Sequence, residues 1–284
     1  MALKGTDLRG TDLKGTDLRG SNLKDPLWEE ICTEAHQAVA QESLMADFFS
    51  AAILNHASLE DALCFILSQQ ICSAEVSAQV VSEVIAEAMQ QDPSIGERIR
   101  RDINACFDRD PACETHFMPI LYFKGFQALQ LQRVAHWLWS QGRNILALFF
   151  QSQISEVFAV DIHPGAKLGS GIMIDHATGL VIGETAVVGD NVSILHSVTL
   201  GGSGCVSGSR HPTIGNGVLI SAGAKILGNI SVGDGVKIGA GSLVLESVPE
   251  HVTVAGVPAK VVGTPREAEP ALEMDQYISD KTGN

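Results

Sequence analysis

The feature that most narrows what this chain can fold into is a six-residue periodicity running from Ile162 to about Gly263. With an aliphatic at the first place of each hexad, the register reads Ile162, Leu168, Ile174, Leu180, Ala186, Val192 and Val198. A glycine-rich insertion interrupts it, and it resumes at Ile214, Ile220, Ile226, Val232, Ile238 and Val244. Twelve of these thirteen residues are Ile, Leu or Val, so the period is not a chance of composition. A period of six fits neither an amphipathic helix nor a single long strand. It fits a solenoid in which each hexad supplies one short side and one turn. Strands stacked coil on coil pair their backbone groups and bury the aliphatics in a central column.

Composition places the boundary of this solenoid. Residues 162–263 hold 20 of the 28 glycines and carry a charge near zero, although the whole chain is at -14. The acid excess therefore lies elsewhere and argues against non-specific nucleic-acid binding, which needs a basic surface. Six cysteines (Cys32, Cys64, Cys72, Cys106, Cys113, Cys205) show no CxxC pair and no metal-ligand spacing. They read as reduced thiols of a cytoplasmic protein. No apolar run approaches the length needed to span a bilayer, so no membrane partner is expected.

Four segments follow. Residues 1–24 contain a five-residue repeat, LKGTD-LRGTD-LKGTD-LRGSN-LK, with five leucines. That completes little more than one coil, and the segment reads as a flexible or appended leader. Residues 25–158 are helical and suited to oligomerisation. Asp25-Pro26 supplies an N-cap and N1 pair, and Pro119 to Gln141 reads as one long amphipathic run. Residues 159–263 form the β-helix. The polar tail, 264–284, is expected to be mobile. The fold class is α+β, a helical domain followed by a parallel β-helix of hexapeptide repeats.

Aliphatics explain the column but not its polar exceptions. Three stand out: Asp161-Ile162-His163-Pro164, Asp175-His176-Ala177-Thr178-Gly179, and Arg210-His211-Pro212 at the end of the insertion. From Val198 to Ile214 there are sixteen residues where six would keep the period, so about ten are extra. Three hexads make one coil, and Asp161 lies fifteen residues before His176. The two should occupy adjacent coils about 4.8 Å apart. An Asp–His hydrogen bond at that offset would fix one tautomer and stabilise the protonated ring; a corner histidine on the surface is the alternative reading.

These motifs, with Gly183-Glu184-Thr185-Ala186-Val187, Ser197-Val198-Thr199-Leu200-Gly201-Gly202 and Ala255-Gly256-Val257-Pro258-Ala259-Lys260, occur in an order that resembles the bacterial serine O-acetyltransferases. The resemblance covers about residues 25–265. It implies a left-handed β-helix and transfer of acetyl from acetyl-CoA, as co-substrate, to the hydroxyl of L-serine in cysteine biosynthesis, with no metal. By the same resemblance His176 is the general base and Asp161 the carboxylate that orients it. Asp110, Asp175, Arg210 and His211 form the serine pocket, where L-cysteine would act as feedback inhibitor. Ser203, Ala222, Ala240 and Lys260 line the coenzyme A groove, with Lys237 and Lys225 among the few cations the solenoid offers to phosphates. The sites lie between solenoids of a trimer, and the helical halves pair two trimers into a hexamer.

The chemistry agrees with these residue types. A positioned base contributes about 10²–10⁴-fold to deprotonating a hydroxyl nucleophile. Arg210 can grip a carboxylate bidentately, and the thioester oxyanion needs donors aimed at it. Gly201-Gly202 backbone N–H groups or the His211 ring are both candidates for that task, so His211 is also a catalytic candidate. His163 borders the site, while His196 and His251 read as structural. The family's chains commonly end in isoleucine, which docks into O-acetylserine sulfhydrylase. This sequence ends Lys281-Thr282-Gly283-Asn284, which leaves that partner open but in doubt here.

Overall fold

The computed structural model describes residues 25–204 and 207–278. The leader repeats, Cys205 and the last six residues lie outside them. Eight helices come first: α1 (Pro26–Gln41), α2 (Ala46–Phe49), α3 (Leu59–Ile71), α4 (Ala78–Gln91), α5 (Ser94–Arg109), α6 (Phe117–Tyr122), α7 (Lys124–Ser140) and α8 (Asn144–Phe158). Ser58 and Ser77 cap α3 and α4 by accepting from Asp61 N and Val80 N, satisfying N–H groups that a helix start leaves orphaned. Asp25 occupies the N-cap position of α1 but makes no capping bond. Its Oδ2 instead accepts from Arg100 Nη2 at 2.6 Å, tying α1 to α5.

The run expected as one amphipathic helix from Pro119 is broken at Phe123, whose backbone is extended. Its long part, α7, is no surface helix. It buries Gln127, Gln130, Gln132 and Arg133 as well as its apolar residues. Their side-chain nitrogens all find acceptors, while Gln130 Oε1 has no partner among the described residues. Arg133 donates to Asp102 Oδ2 at 2.7 Å, with both side chains buried. Asp102 Oδ1 accepts the backbone N–H of Ile172 at 2.9 Å. One buried carboxylate thus joins α5, α7 and the first solenoid coil, leaving neither charge unpaired in the interior.

Sheet pairing begins at Val160. Three parallel sheets form the sides of the solenoid. Sheet 1 stacks Val160–Ile162, Leu180–Ile182, Thr199–Gly201, Lys225–Leu227 and Leu243–Val244. Sheet 2 stacks Lys167–Leu168, Val187–Val188, Thr213–Ile214 and Ser231–Val232. Sheet 3 stacks Met173–Ile174, Ser193–Ile194, Leu219–Ile220, Lys237–Ile238 and Thr253–Gly256, and Ala259–Gly263 pairs antiparallel at its end. All thirteen hexad residues are buried, at 8 % exposure or less.

The period, however, is not uniform. Ile162 pairs with Ile182, Leu168 with Val188 and Ile174 with Ile194. The first coil therefore advances by twenty residues, and Leu180, Ala186, Val192 and Val198 sit two places before the rung. They still point inward, because the side-chain alternation of a strand has period two. The two extra residues fall in the corner Asp175–Gly179. The later insertion accounts for eight extra residues rather than ten, since Val188 pairs with Ile214, twenty-six on, against eighteen from Ile214 to Val232.

Over its described part the tail is seated on the solenoid rather than free. The short helix α9 (Pro270–Glu273) buries Pro270 and Ala271, whose carbonyl accepts from Ser193 Oγ at 2.8 Å. Ile278 lies against Gly239. No described helix is long and apolar enough to cross a membrane.

Candidate active site

The corner between sheets 3 and 1 in the first coil is where the register slips. Its extra residues force His176 and Ala177 into left-handed backbone, at φ 56° and 59°, a conformation that costs non-glycine residues energy and concentrates at functional sites. The result is a projecting loop. Asp175 N still pairs with Ile194 O at 2.8 Å, so the loop leaves a fixed base. Lys124 Nζ donates to Thr178 Oγ1 at 2.5 Å and pins its far side to α7. Gly125 makes this approach feasible, because a Cβ there would sit 2.2 Å from Ile174 O.

A cavity of about 390 Å³ opens between this loop and the helical half, lined by Asp110, Tyr122, Lys124, Asp175 and His176 among others. Asp110 ends α5 and Asp175 starts the loop, so two carboxylates from different halves face one space. Burial raises the Asp175 carboxyl above its ordinary range; His176 counters this and Asp110 adds to it. His176 Nε2 lies 3.6 Å from Asp175 Oδ2, and its ring meets that of His196 edge-on at 5.8 Å. In the single chain His176 is 74 % exposed.

A second group occupies the corner between sheets 1 and 2. His211 is buried under Gly183. Its Nδ1 lies 3.2 Å from Thr185 N, which donates to it, and 2.9 Å from Thr185 Oγ1. An Nδ1 that accepts a backbone N–H leaves the proton of the neutral ring on Nε2. Desolvation, then Arg210, holds the His211 pKa below the ordinary histidine value. Arg210 Nη2 donates to Glu184 Oε2 at 2.5 Å, and that bond is the main reason the Glu184 carboxyl sits below its usual range. His163, with Nδ1 accepting from Gly165 N at 2.9 Å and its ring edge-on to Trp139, completes the group.

The expected site residues therefore separate. Asp110, Asp175 and His176 come together at one edge of sheet 1, and Arg210 and His211 at the other. Asp161 pairs in register with Val181. Its carboxylate accepts from Gln151 Nε2 at 2.7 Å, and among the described residues no hydrogen bond joins it to His176. Ala222 and Ala240 lie on the same corner as His176, in later coils. Bonds from Gly223 N to His196 O and from Gly241 N to Ala222 O align His196, Ala222 and Ala240 into one row; the matching bond from Ser197 N to Thr178 O puts Thr178 at its head, and His176 stands beside the row through its ring contact with His196. Ser203 belongs to the insertion, exposed and near Gly228. Lys260 is exposed on the final strand. Lys237 departs from expectation. It is buried at 3 % exposure, and its ammonium donates to Tyr277 O at 2.8 Å beside Asp275, so the seated tail covers it.

One other group has ligand-type atoms close together, Glu30, Glu34 and His116. There Glu34 accepts the backbone N–H groups of His116 and Phe117 at the start of α6, and its Oε1 lies 3.0 Å from His116 Nδ1, so these groups satisfy one another.

Comparison with known proteins separates this chain from other hexapeptide-repeat proteins through its helical half. A family model described as "Serine acetyltransferase, N-terminal" matches residues 27–131, and one for bacterial transferase hexapeptide repeats matches 211–246. A pentapeptide-repeat model matches 2–25. The serine acetyltransferase of Salmonella typhimurium is 52% identical over 89% of this chain and 93% of its own length. The chain is a member of the serine acetyltransferase family. A solved serine acetyltransferase from Vibrio cholerae superposes with a TM-score of 0.87 at 56% identity, covering 88% of this chain and 97% of that one. A Brucella abortus serine acetyltransferase solved in complex with coenzyme A gives 0.83 at 52%, over 85% and 96%. Another, solved in complex with cysteine, gives 0.87 at 50%, over 88% and 98%.

Within this serine acetyltransferase fold, several neighbours of the site had no role assigned from sequence. Thr185 holds both the backbone and the ring of the Arg210-His211 pair. Lys124 and Gly125 fasten the His176 loop, and Gln151 holds Asp161. Thr185 stood inside a quoted motif. The others lie in the helical half, where one sequence carries no signal of which residue faces the solenoid.

Proposed function

We propose that this chain transfers the acetyl group of acetyl-CoA to the side-chain oxygen of L-serine, directly and without an acyl-enzyme. The observation that carries this is the cavity in which Asp110 and Asp175 face His176. Two carboxylates suit an ammonium group, and an imidazole beside them suits a hydroxyl on the same small molecule. His176 would remove the hydroxyl proton as the oxygen attacks the thioester carbonyl, then return it to the departing thiolate. Asp161, fixed by Gln151, is the proposed orienting carboxylate. The row of small residues at Ala222 and Ala240 leaves room for the arm of coenzyme A, with Lys260 on the final strand beyond them, and Ser203, on the opposite corner, would reach that molecule from a neighbouring solenoid.

Arg210 and His211 enter the same reading through a second copy of the chain. They lie across sheet 1 from His176, so an amino-acid carboxylate gripped by Arg210 requires that one solenoid's corner meet its neighbour's. A trimer supplies that contact three times. Ile145, Leu148 and Val157, left exposed on α8, support further association through the helical half, to a hexamer. L-cysteine, which shares the ammonium and carboxylate of serine, would compete for the pocket. A cytoplasmic location belongs to the same proposal.

The test is thiol release from acetyl-CoA with L-serine, repeated with added L-cysteine. Turnover that cysteine suppresses is expected. Absence of turnover by correctly assembled protein would reject the assignment. His176→Ala should lose most kcat with the oligomer intact, and near-normal turnover in that variant would remove His176 from the base role.

A further inference from the structure

Two imidazoles share the corner that carries the cavity, and the reaction above uses only one. His196 sits one coil from His176, between that base and the small-residue row at Ala222 and Ala240. Its Nδ1 is buried and has no hydrogen-bond partner among the described residues. A bare lone pair in such a place is tolerated far better than an N–H with no acceptor. The favoured tautomer therefore carries its N–H on Nε2, which makes no hydrogen bond to any described residue. An N–H donor without a partner among the described residues thus stands beside the row proposed for the acyl donor.

We propose that His196 is the donor that stabilises the oxyanion of acetyl transfer, and that its Nε2–H serves this purpose. The proposal rests on His176 as base and on the Ala222–Ala240 row as the path of the acyl donor. As His176 takes the proton, the serine oxygen forms a bond to the thioester carbon. The carbonyl π pair moves onto its oxygen, which accepts the hydrogen bond from His196. Collapse restores the carbonyl, breaks the carbon–sulfur bond and expels the thiolate, which recovers the proton from His176. His196 gives up no proton and forms no bond. A neutral, preorganised donor suits this task because it needs no reorganisation when the charge develops. His211, also an Nε2–H donor, lies on the other corner and stays with the amino-acid carboxylate.

The experiment compares His196→Ala and His196→Gln in the full-length assembled enzyme, with His176→Ala in parallel. Steady-state kinetics are measured with acetyl-CoA and L-serine, and assembly is checked by light scattering. Loss of one oxyanion donor should lower kcat by about 10²–10³-fold, with both KM values within about threefold of the parent. His196→Gln, which keeps an N–H at similar reach, should recover kcat to within about tenfold. A His196→Ala enzyme with near-parental kcat, or one impaired only in KM, overturns the assignment. So does a glutamine variant as slow as the alanine one. Should the alanine variant fail to assemble, His196→Leu takes its place against glutamine under the same criteria. Normal turnover in His176→Ala would instead remove the base reading beneath the proposal, whereas an inactive His176→Ala beside a normal His196→Ala rejects only His196.

Discussion

Gly183→Ala tests how tightly the second corner is built. A Cβ at that position would lie 2.0 Å from His211 Nε2 and 2.1 Å from Cδ2, where ordinary contact begins at 3.4 Å. The ring must retreat by about 1.4 Å, the difference between those distances. It cannot do so and keep Nδ1 at 2.9 Å and 3.2 Å from the two Thr185 atoms. Overpacking of this kind costs about 1–3 kcal/mol of stability, which the rest of the fold can absorb. The effect on turnover should be larger, because a misplacement of about 1 Å costs on the order of 10²-fold. The assay is kcat/KM for L-serine, with thermal unfolding measured in the same buffer. A fall of about 10²-fold in a protein that remains folded and assembled is expected. If the variant keeps kcat/KM within about threefold of the parent, His211 need not occupy this position and the two-corner site is wrong.

Gly125→Ala should act on stability first. Its Cβ would meet the backbone oxygen of Ile174 at 2.2 Å, an atom fixed by sheet 3, so α7 must lift from the solenoid at a cost of about 3 kcal/mol. A lowered denaturant midpoint, with a raised KM for serine as the His176 loop loosens, would bear this out, and an unchanged midpoint would not. The pH dependence follows from His163 and His211, both held below the ordinary histidine pKa, first by desolvation. Arg210 pushes the same way in each, while Glu184 opposes it, as does Asp161 at His163. Below the unfolded value of about 6.5 the unfolded chain binds more protons, so stability rises with pH. The contribution is whole above that value and is lost as pH falls through it and the folded pKa values. His211→Gln should flatten the decline of the melting temperature between about pH 7 and pH 5; an equally steep decline would show that other groups carry it.

Much of this protein was legible in one dimension. A hexad with an aliphatic at each first place admits few structures other than stacked short strands, since only a coil of that length returns every sixth side chain to one interior column. The shift in composition near residue 160 lies beside the first strand at Val160, and the polar interruptions lie at the corners proposed as the site. Periodicity failed where one corner lengthens. The two residues added at Asp175–Gly179 leave the inward pattern intact, because two is also the strand period, so counting alone could not detect the slip.

The three-dimensional structure decided what spacing conceals. His196, Ala222 and Ala240 form a single row although twenty-six and eighteen residues separate them, and His176, twenty residues earlier, meets that row through the ring of His196. Hydrogen bonds between coils, rather than distance along the chain, set that alignment. The same is true of the tail, polar in composition yet seated over Lys237 by a carbonyl and a carboxylate. Amino-acid sequence determined which side chains point inward, because that depends on local alternation and burial. Which outward side chains meet depends on the lengths of the corners between them, and those only the assembled solenoid fixes.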